Sequence, residues 1–203
     1  IKVDSLILLT GSQLQNTAKL VDDSLNGAIQ ALIASGDFSG KLATSCILHT
    51  PEKTSKRIIL IGTDGASTTQ KMIKVIEAAA SLLSKTPSKK ALWIGGGLND
   101  DHQWQASIMA RSVQTSSYKY NGSSKPSKPK KLQSVTYWCA KKSQALSAAK
   151  GLAYGCAVGN GMNAARGLAD LPANICTPNY LASQAKKLGK GQAKVTTKIL
   201  KEA

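Results

Sequence analysis

Apolar residues dominate Val3 to Thr10, which predicts a buried strand. Val21, Leu25, Ala28 and Leu32 then recur at i, i+4, i+7 and i+11, predicting one amphipathic helix with Asp22, Asp23 and Gln30 on its wet side. Gly36-Asp37-Phe38-Ser39-Gly40 ends that helix with turn residues. Two strands follow, Ser45–His49 and Arg57–Gly62, and the unbroken run Ile58-Ile59-Leu60-Ile61 reads as buried on both faces. Thr63-Asp64-Gly65 turns the chain into a second helix, with Ser67 and Gln70 spaced as a capping box. Met72, Ile76, Ala79 and Leu83 form its inner stripe and Pro87 closes it. Ala91–Ile94 is the next strand, Gly95-Gly96-Gly97 the next turn, and a third helix is predicted from about Asp100 to Val113. Strands alternating with helices at this rhythm specify an α/β layered domain.

Tyr120 to Lys131 has neither period and contains Gly122, Pro126 and Pro129, so it reads as an exposed polar loop. Val135–Cys139 returns to strand character. Ser143 to Ala169 predicts one long Ala-rich helix, in which Gly151, Gly155 and Gly159 share a face. Each glycine costs a helix about 0.8–1 kcal/mol against alanine. Three on one stripe therefore imply that another backbone packs very close there. Pro172 breaks the helix, and Thr177-Pro178 opens another as N-cap and first helical residue, with Gly189 ending it. Ala193 to Leu200 reads as one more strand, the start of a second α/β layer. No internal repeat is present.

The charge balance is strongly basic, with 27 Lys and Arg against 11 Asp and Glu, a net +16. Nucleic acid is the partner class such a balance favours. Lys119, Lys125, Lys128, Lys130 and Lys131 crowd one segment, which reads more simply as a solvated loop. Cys46, Cys139, Cys156 and Cys176 lie far apart, and with only His49 and His102 beside them they offer no zinc cage. They read as reduced, mostly buried cysteines of a cytosolic protein. No run approaches the roughly 18 apolar residues of a membrane helix, and Lys150, Asn160, Asn163 and Arg166 exclude a membrane reading of the glycine-spaced helix. The first residues lack the order of a secretory signal, and the missing initiator Met predicts a trimmed or processed chain.

Chemistry is sparse. Gly95-Gly96-Gly97 sits between strand and helix, where main-chain N–H groups can cradle phosphate, yet it matches neither GxGxxG nor a P-loop. A tight turn is the simpler reading. Asp100-Asp101-His102 lacks a third convergent ligand and reads as a helix start whose acids complement the dipole; Asp22-Asp23 takes the same explanation. No GxSxG elbow exists. No catalytic, cofactor-binding or metal-binding residue is assigned within this chain.

The segment from Asn163 to Ala182 carries a more specific signal. Ala165-Arg166, Pro172, Asn174, Thr177-Pro178 and Leu181-Ala182 resemble the leucine aminopeptidase (cytosol aminopeptidase) family, in which a connecting helix ends in Ala-Arg and an Asn-x-Pro-x-Asn turn leads to Thr-Pro. Asp170 stands where that family usually has Asn, and keeps a turn-forming side chain. Upstream, Gly27 to Leu32 leading into Gly36 to Lys41, and Arg57 to Gly62, resemble the family's N-terminal domain. The resemblance implies a macro-domain-like mixed sheet flanked by helices, followed by a long connecting helix and the beginning of a second α/β domain. It places the N-terminal domain at 1–141, the connecting helix at 142–171 and the start of the catalytic domain at 172–203. It further implies a cytoplasmic homohexamer acting on peptides. Two divalent metal ions, zinc, manganese or magnesium, would be bound outside this segment, whose partner is its own C-terminal catalytic domain. Some bacterial relatives also bind DNA, which leaves a basic nucleic-acid-binding module as the alternative. A nucleotide or ADP-ribose binder is a third reading, and requires Gly95–Gly97 to line an open pocket.

Overall fold

The structure, a computed structural model, describes residues 2–50, 55–120, 132–190 and 194–200. Its strands are β1 (Val3–Thr10), β2 (Ser45–His49), β3 (Ser55–Gly62), β4 (Lys90–Ile94) and β5 (Ser134–Trp138), and they form one sheet in the order β2-β3-β1-β4-β5. All neighbours run parallel except β2, which is antiparallel to β3. Ile7 on β1 stands opposite Ile59 on one side and Trp93 on the other. The strands at the centre are covered on both faces, which is why they read as near-continuous apolar runs.

Alternation along those strands sends side chains into two cores. Ile7, Leu9, Ile59, Ile61 and Trp93 pack against Val75, Ile76, Ala79 and Leu83 of α3 (Thr69–Lys85) and Met109 of α4 (His102–Ser116). Leu8, Ile58, Leu60 and Ile94 pack on the other face against Ala18 of α1 (Asn16–Ser24), Ile29 of α2 (Ala28–Ser35) and Phe38. The layering is the α/β one that the sequence pattern predicts, and the mixed sheet flanked by helices is the one that the resemblance implies.

The single helix expected through Val21 to Leu32 is two helices. Asn26 and Gly27 both take left-handed backbone, φ 54° and 79°, and split α1 from α2. Asp22, expected on the surface, is buried at the break, where its Oδ1 accepts from the Ile29 N–H at 2.7 Å and the Gln30 N–H at 3.2 Å. The side chain stabilises the first turn of α2, whose own N-cap, Gly27, has no side chain to offer. The cap of α3 is Thr68, whose hydroxyl accepts from the Lys71 N–H at 3.3 Å, rather than the Ser67–Gln70 pair. The four cysteines are free but each only half-buried, where mostly buried thiols were expected.

The chain divides into two compact units, residues 1–118 with 128–160 and residues 119–127 with 161–203. The sheet and α1 to α4 belong to the first, as does α5 (Lys142–Ala169) up to Asn160. The glycine stripe of α5 faces α4 at backbone distance. A Cβ on Gly151 would fall on the Gln103 carbonyl oxygen, one on Gly155 on the Ser107 carbonyl oxygen, and one on Gly159 would stand 2.7 Å from the Gln114 Cβ.

In the second unit α6 (Pro178–Gly189) begins as expected: the Thr177 hydroxyl accepts from the Tyr180 N–H at 3.2 Å and proline follows the cap. The strand expected from Ala193 to Leu200 is not formed in residues 194–200, and Ala193 lies outside the described residues. No strand is described in this unit to share a ladder with it. Instead the Thr197 hydroxyl donates to the Ala185 carbonyl of α6 at 3.0 Å. The expected polar loop lies outside the described residues except at Tyr120.

Candidate functional site

Parallel strands all end at one edge of the sheet, so their following loops gather there. An open-sided cavity of about 860 Å³ lies at that edge, bounded by the segments after β1, β3, β4 and β5. From β1 come Gly11 and Ser12, from β3 Asp64, from β4 the three glycines, and from β5 Trp138 and Lys141.

The loops are held to one another. Asp64 Oδ2 accepts from the Ser12 N–H at 2.9 Å, tying the β3 loop to the β1 loop. The Gly95 N–H donates to the Trp138 carbonyl at 2.7 Å, tying β4 to β5. A side chain at Gly95 would strike the Tyr137 ring, 2.6 Å away, and one at Gly97 would strike the Leu9 carbonyl oxygen at 2.5 Å. The glycine run is therefore a tight turn, as expected, and it also lines the open cavity.

Behind the turn, Tyr137 Oη and His102 Nδ1 are 3.0 Å apart, with the rings edge to face at 6.0 Å. Which of the two groups donates follows from the histidine tautomer. Burial above all, with lesser repulsion from Cys139 and Asp101, pushes the Tyr137 phenol far up. Burial also pushes up the thiols of Cys139 and Cys46, Asp37 adding to the rise at Cys46. Raised thiols are poor nucleophiles at neutral pH.

The acids of the candidate clusters are engaged in holding backbone. Asp101 accepts from the Trp104 N–H at 2.9 Å as the N-cap of α4, the helix-start role expected for it. Asp4 Oδ2 accepts from the Lys89 and Lys90 N–H groups at 2.8 and 3.0 Å and its Oδ1 pairs with Lys56 at 3.3 Å. Those two main-chain donors, with Lys56, bring the Asp4 carboxyl down to about 2. Among the described residues no three His, Cys, Asp or Glu side chains converge as a metal site requires. Sequence reasoning singled out Gly95–Gly97 but missed Gly11-Ser12, Asp64, Trp138 and Lys141. The available signal was the Gly-Ser pair directly after a buried strand.

The model of the cytosol aminopeptidase family's N-terminal domain matches residues 6–126. The chain belongs to the cytosol aminopeptidase family. It is 33% identical over 209 residues to the probable cytosol aminopeptidase of Alcanivorax borkumensis, covering all of this chain and 42% of that protein. It is 29% identical to the one from Tolumonas auensis, covering 94% of this chain and 40% of the relative. Among solved structures, a tomato leucine aminopeptidase variant superposes with a TM-score of 0.74 at 26% identity, covering 93% of this chain and 39% of its own. A bottromycin maturation enzyme, BotP, shares the fold with a TM-score of 0.63 at 16% identity. The chain thus spans about 42% of the length of the first of these relatives and corresponds to the N-terminal domain of the cytosol aminopeptidase family. Among the described residues no helix is long and apolar enough to cross a membrane.

Proposed function

We propose that this chain is the non-catalytic N-terminal segment of a leucyl aminopeptidase that releases N-terminal amino acids from peptides. The observation that carries the reading is the match of the family's N-terminal domain over residues 6–126 in a chain spanning 42% of a full-length relative. In this reading the domain at 1–141 serves structure and assembly. The helix at 142–171 connects it to the start of the catalytic domain at 172–203. The catalytic domain is its principal partner, the assembly is a cytoplasmic homohexamer, and peptides are the substrates.

Two divalent metals, zinc, manganese or magnesium, would activate water in that catalytic domain. The described residues of this chain do not fit such a pair, because Asp4, Asp22, Asp64 and Asp101 already accept main-chain N–H groups in four separate places. The net charge of +16 would support non-specific DNA binding as a secondary property, weakening steeply with salt as counterions are released.

The test is an assay on a leucyl chromogenic substrate with added manganese. The 203-residue chain is expected to show no turnover, and a longer protein carrying it plus a catalytic domain is expected to be active. Turnover by the short chain above that of a mock purification overturns the reading.

A further inference from the structure

We propose that the outer face of α5, the side turned away from α4, is the surface on which the C-terminal polypeptide of a longer protein docks, through an apolar patch rimmed by carboxylates. This rests on the reading that the chain is part of a longer aminopeptidase. The first observation is the make-up of the helix. Between Lys142 and Ala169 the ionised side chains are Lys142, Lys150 and Arg166, and apolar residues run round the whole circumference. A helix with one side in water carries a polar face, whereas one that is apolar all round is covered all round. Along α5 only Ala148, Gly151, Gly155 and Gly159 are buried, and the three glycines abut α4.

The second observation is the geometry of the bare side. Leu146, Ala153 and Ala157 repeat the spacing of the buried Ala148, Gly155 and Gly159 two residues earlier. Two residues are about 200° round a helix, so the two stripes are nearly opposite. All three are exposed, Leu146 at 64%, and Tyr154 beside them is 69% exposed. Helix propensity accounts for alanines on a wet surface. It does not account for Leu146 and Tyr154, and contiguous exposed apolar surface of this kind marks an interface.

The third observation selects the occupant. The chain covers 42% of the Alcanivorax borkumensis relative and matches the family's N-terminal domain, so more than half of that relative lies outside it. Lys142 and Lys150 stand four residues to either side of Leu146, and the whole chain carries +16. A second copy would set the same lysines and the same net charge against themselves, because a two-fold contact pairs identical patches. Carboxylates on the polypeptide beyond this chain satisfy both lysines while its apolar side chains cover Leu146 and Tyr154.

The experiment places a cysteine at Ala153 in a longer protein carrying this chain plus a catalytic domain, and in the 203-residue chain. Alkylation by N-ethylmaleimide is followed at residue 153 by tandem mass spectrometry, which separates it from Cys156. Residue 153 is expected to react freely in the short chain and about tenfold or more slowly in the longer protein, with the slow rate kept on dilution from micromolar to nanomolar. Ala153→Arg is expected to leave the melting temperature of the short chain unchanged, as surface substitutions do, and to lower that of the longer protein. The proposal is overturned if residue 153 reacts equally fast in both proteins or is already protected in the short chain. It is also overturned if dilution removes the protection, which makes a second copy the cover, or if Ala153→Arg leaves the longer protein as stable as wild type. Turnover of a leucyl substrate by the longer wild-type protein is read separately. An active protein with a reactive residue 153 sinks the docking surface alone, and an inactive one with a protected residue 153 sinks the peptidase reading alone.

Discussion

Gly155→Ala sets two opposed effects against each other. In a helix interior the change from glycine to alanine stabilises by about 0.8–1 kcal/mol through propensity alone. At Gly155 the new Cβ would meet the Ser107 carbonyl oxygen, with the Ser107 carbonyl carbon at 2.8 Å and the Ala110 Cβ at 2.9 Å. The obstacle is backbone of a packed helix, so it cannot rotate away. Restoring ordinary van der Waals contact with that oxygen requires α5 to withdraw from α4 by roughly an ångström or more. Overpacking of this kind costs about 1–3 kcal/mol, and the obstructing backbone argues for the upper half of that range. Subtracting the propensity gain leaves a net loss of about 1–2 kcal/mol, or roughly 2–8 °C in melting temperature for a chain of this size. Gly161, on the same helix, has nothing within 4 Å of its missing Cβ. Gly161→Ala should therefore raise the melting temperature by roughly 2–4 °C. Thermal melts of the two variants beside wild type measure opposite signs. If Gly155→Ala melts higher than wild type, as Gly161→Ala should, the two helices are not in backbone contact and the reasoning fails.

Asp22→Ala should cost about 1–3 kcal/mol, because it leaves the buried Ile29 N–H without an acceptor; a denaturant midpoint equal to wild type would show that α2 starts without it. Asp4 titrates lower in the fold than its ordinary value of 3.8, at about 2, so its contribution is complete above pH 4 and is lost as pH falls from there toward 2. Asp4→Asn should accordingly lower the melting temperature at neutral pH and show a shallower decline between pH 4 and 2; a parallel decline in both proteins would remove Asp4 as the cause. Tyr137→Phe should cost about 1 kcal/mol by leaving His102 Nδ1 unpaired, and an unchanged melting temperature would mean that water replaces the hydroxyl.

The sheet was legible because its central strands are buried on both faces, which leaves uninterrupted apolar runs such as Ile58 to Ile61. The close approach at Gly151, Gly155 and Gly159 was legible for the opposite reason: three glycines reduce helix stability unless something needs the space. The break at Asn26-Gly27 was not read because the apolar stripe continues across it from Val21 to Leu32. A period records which residues face a core, and two short helices on the same sheet face satisfy it as well as one long helix. The Asn-Gly pair was the local signal that competed and won. The strand expected from Ala193 to Leu200 is not formed in residues 194–200 because a strand needs a neighbour, which no single stretch of sequence reveals. The cavity failed to show for a related reason. Its walls come from four loops separated by tens of residues, and only the glycine run is conspicuous along the chain.

Tyr137 carries one further consequence. Its hydroxyl, pushed up by burial, is hydrogen-bonded to an imidazole behind the glycine turn. Its phenolate therefore forms at higher pH than that of an exposed tyrosine. Its ultraviolet absorbance on raising the pH would therefore rise later than that of the exposed tyrosines, giving the domain an optical report on the packing behind its glycine turn.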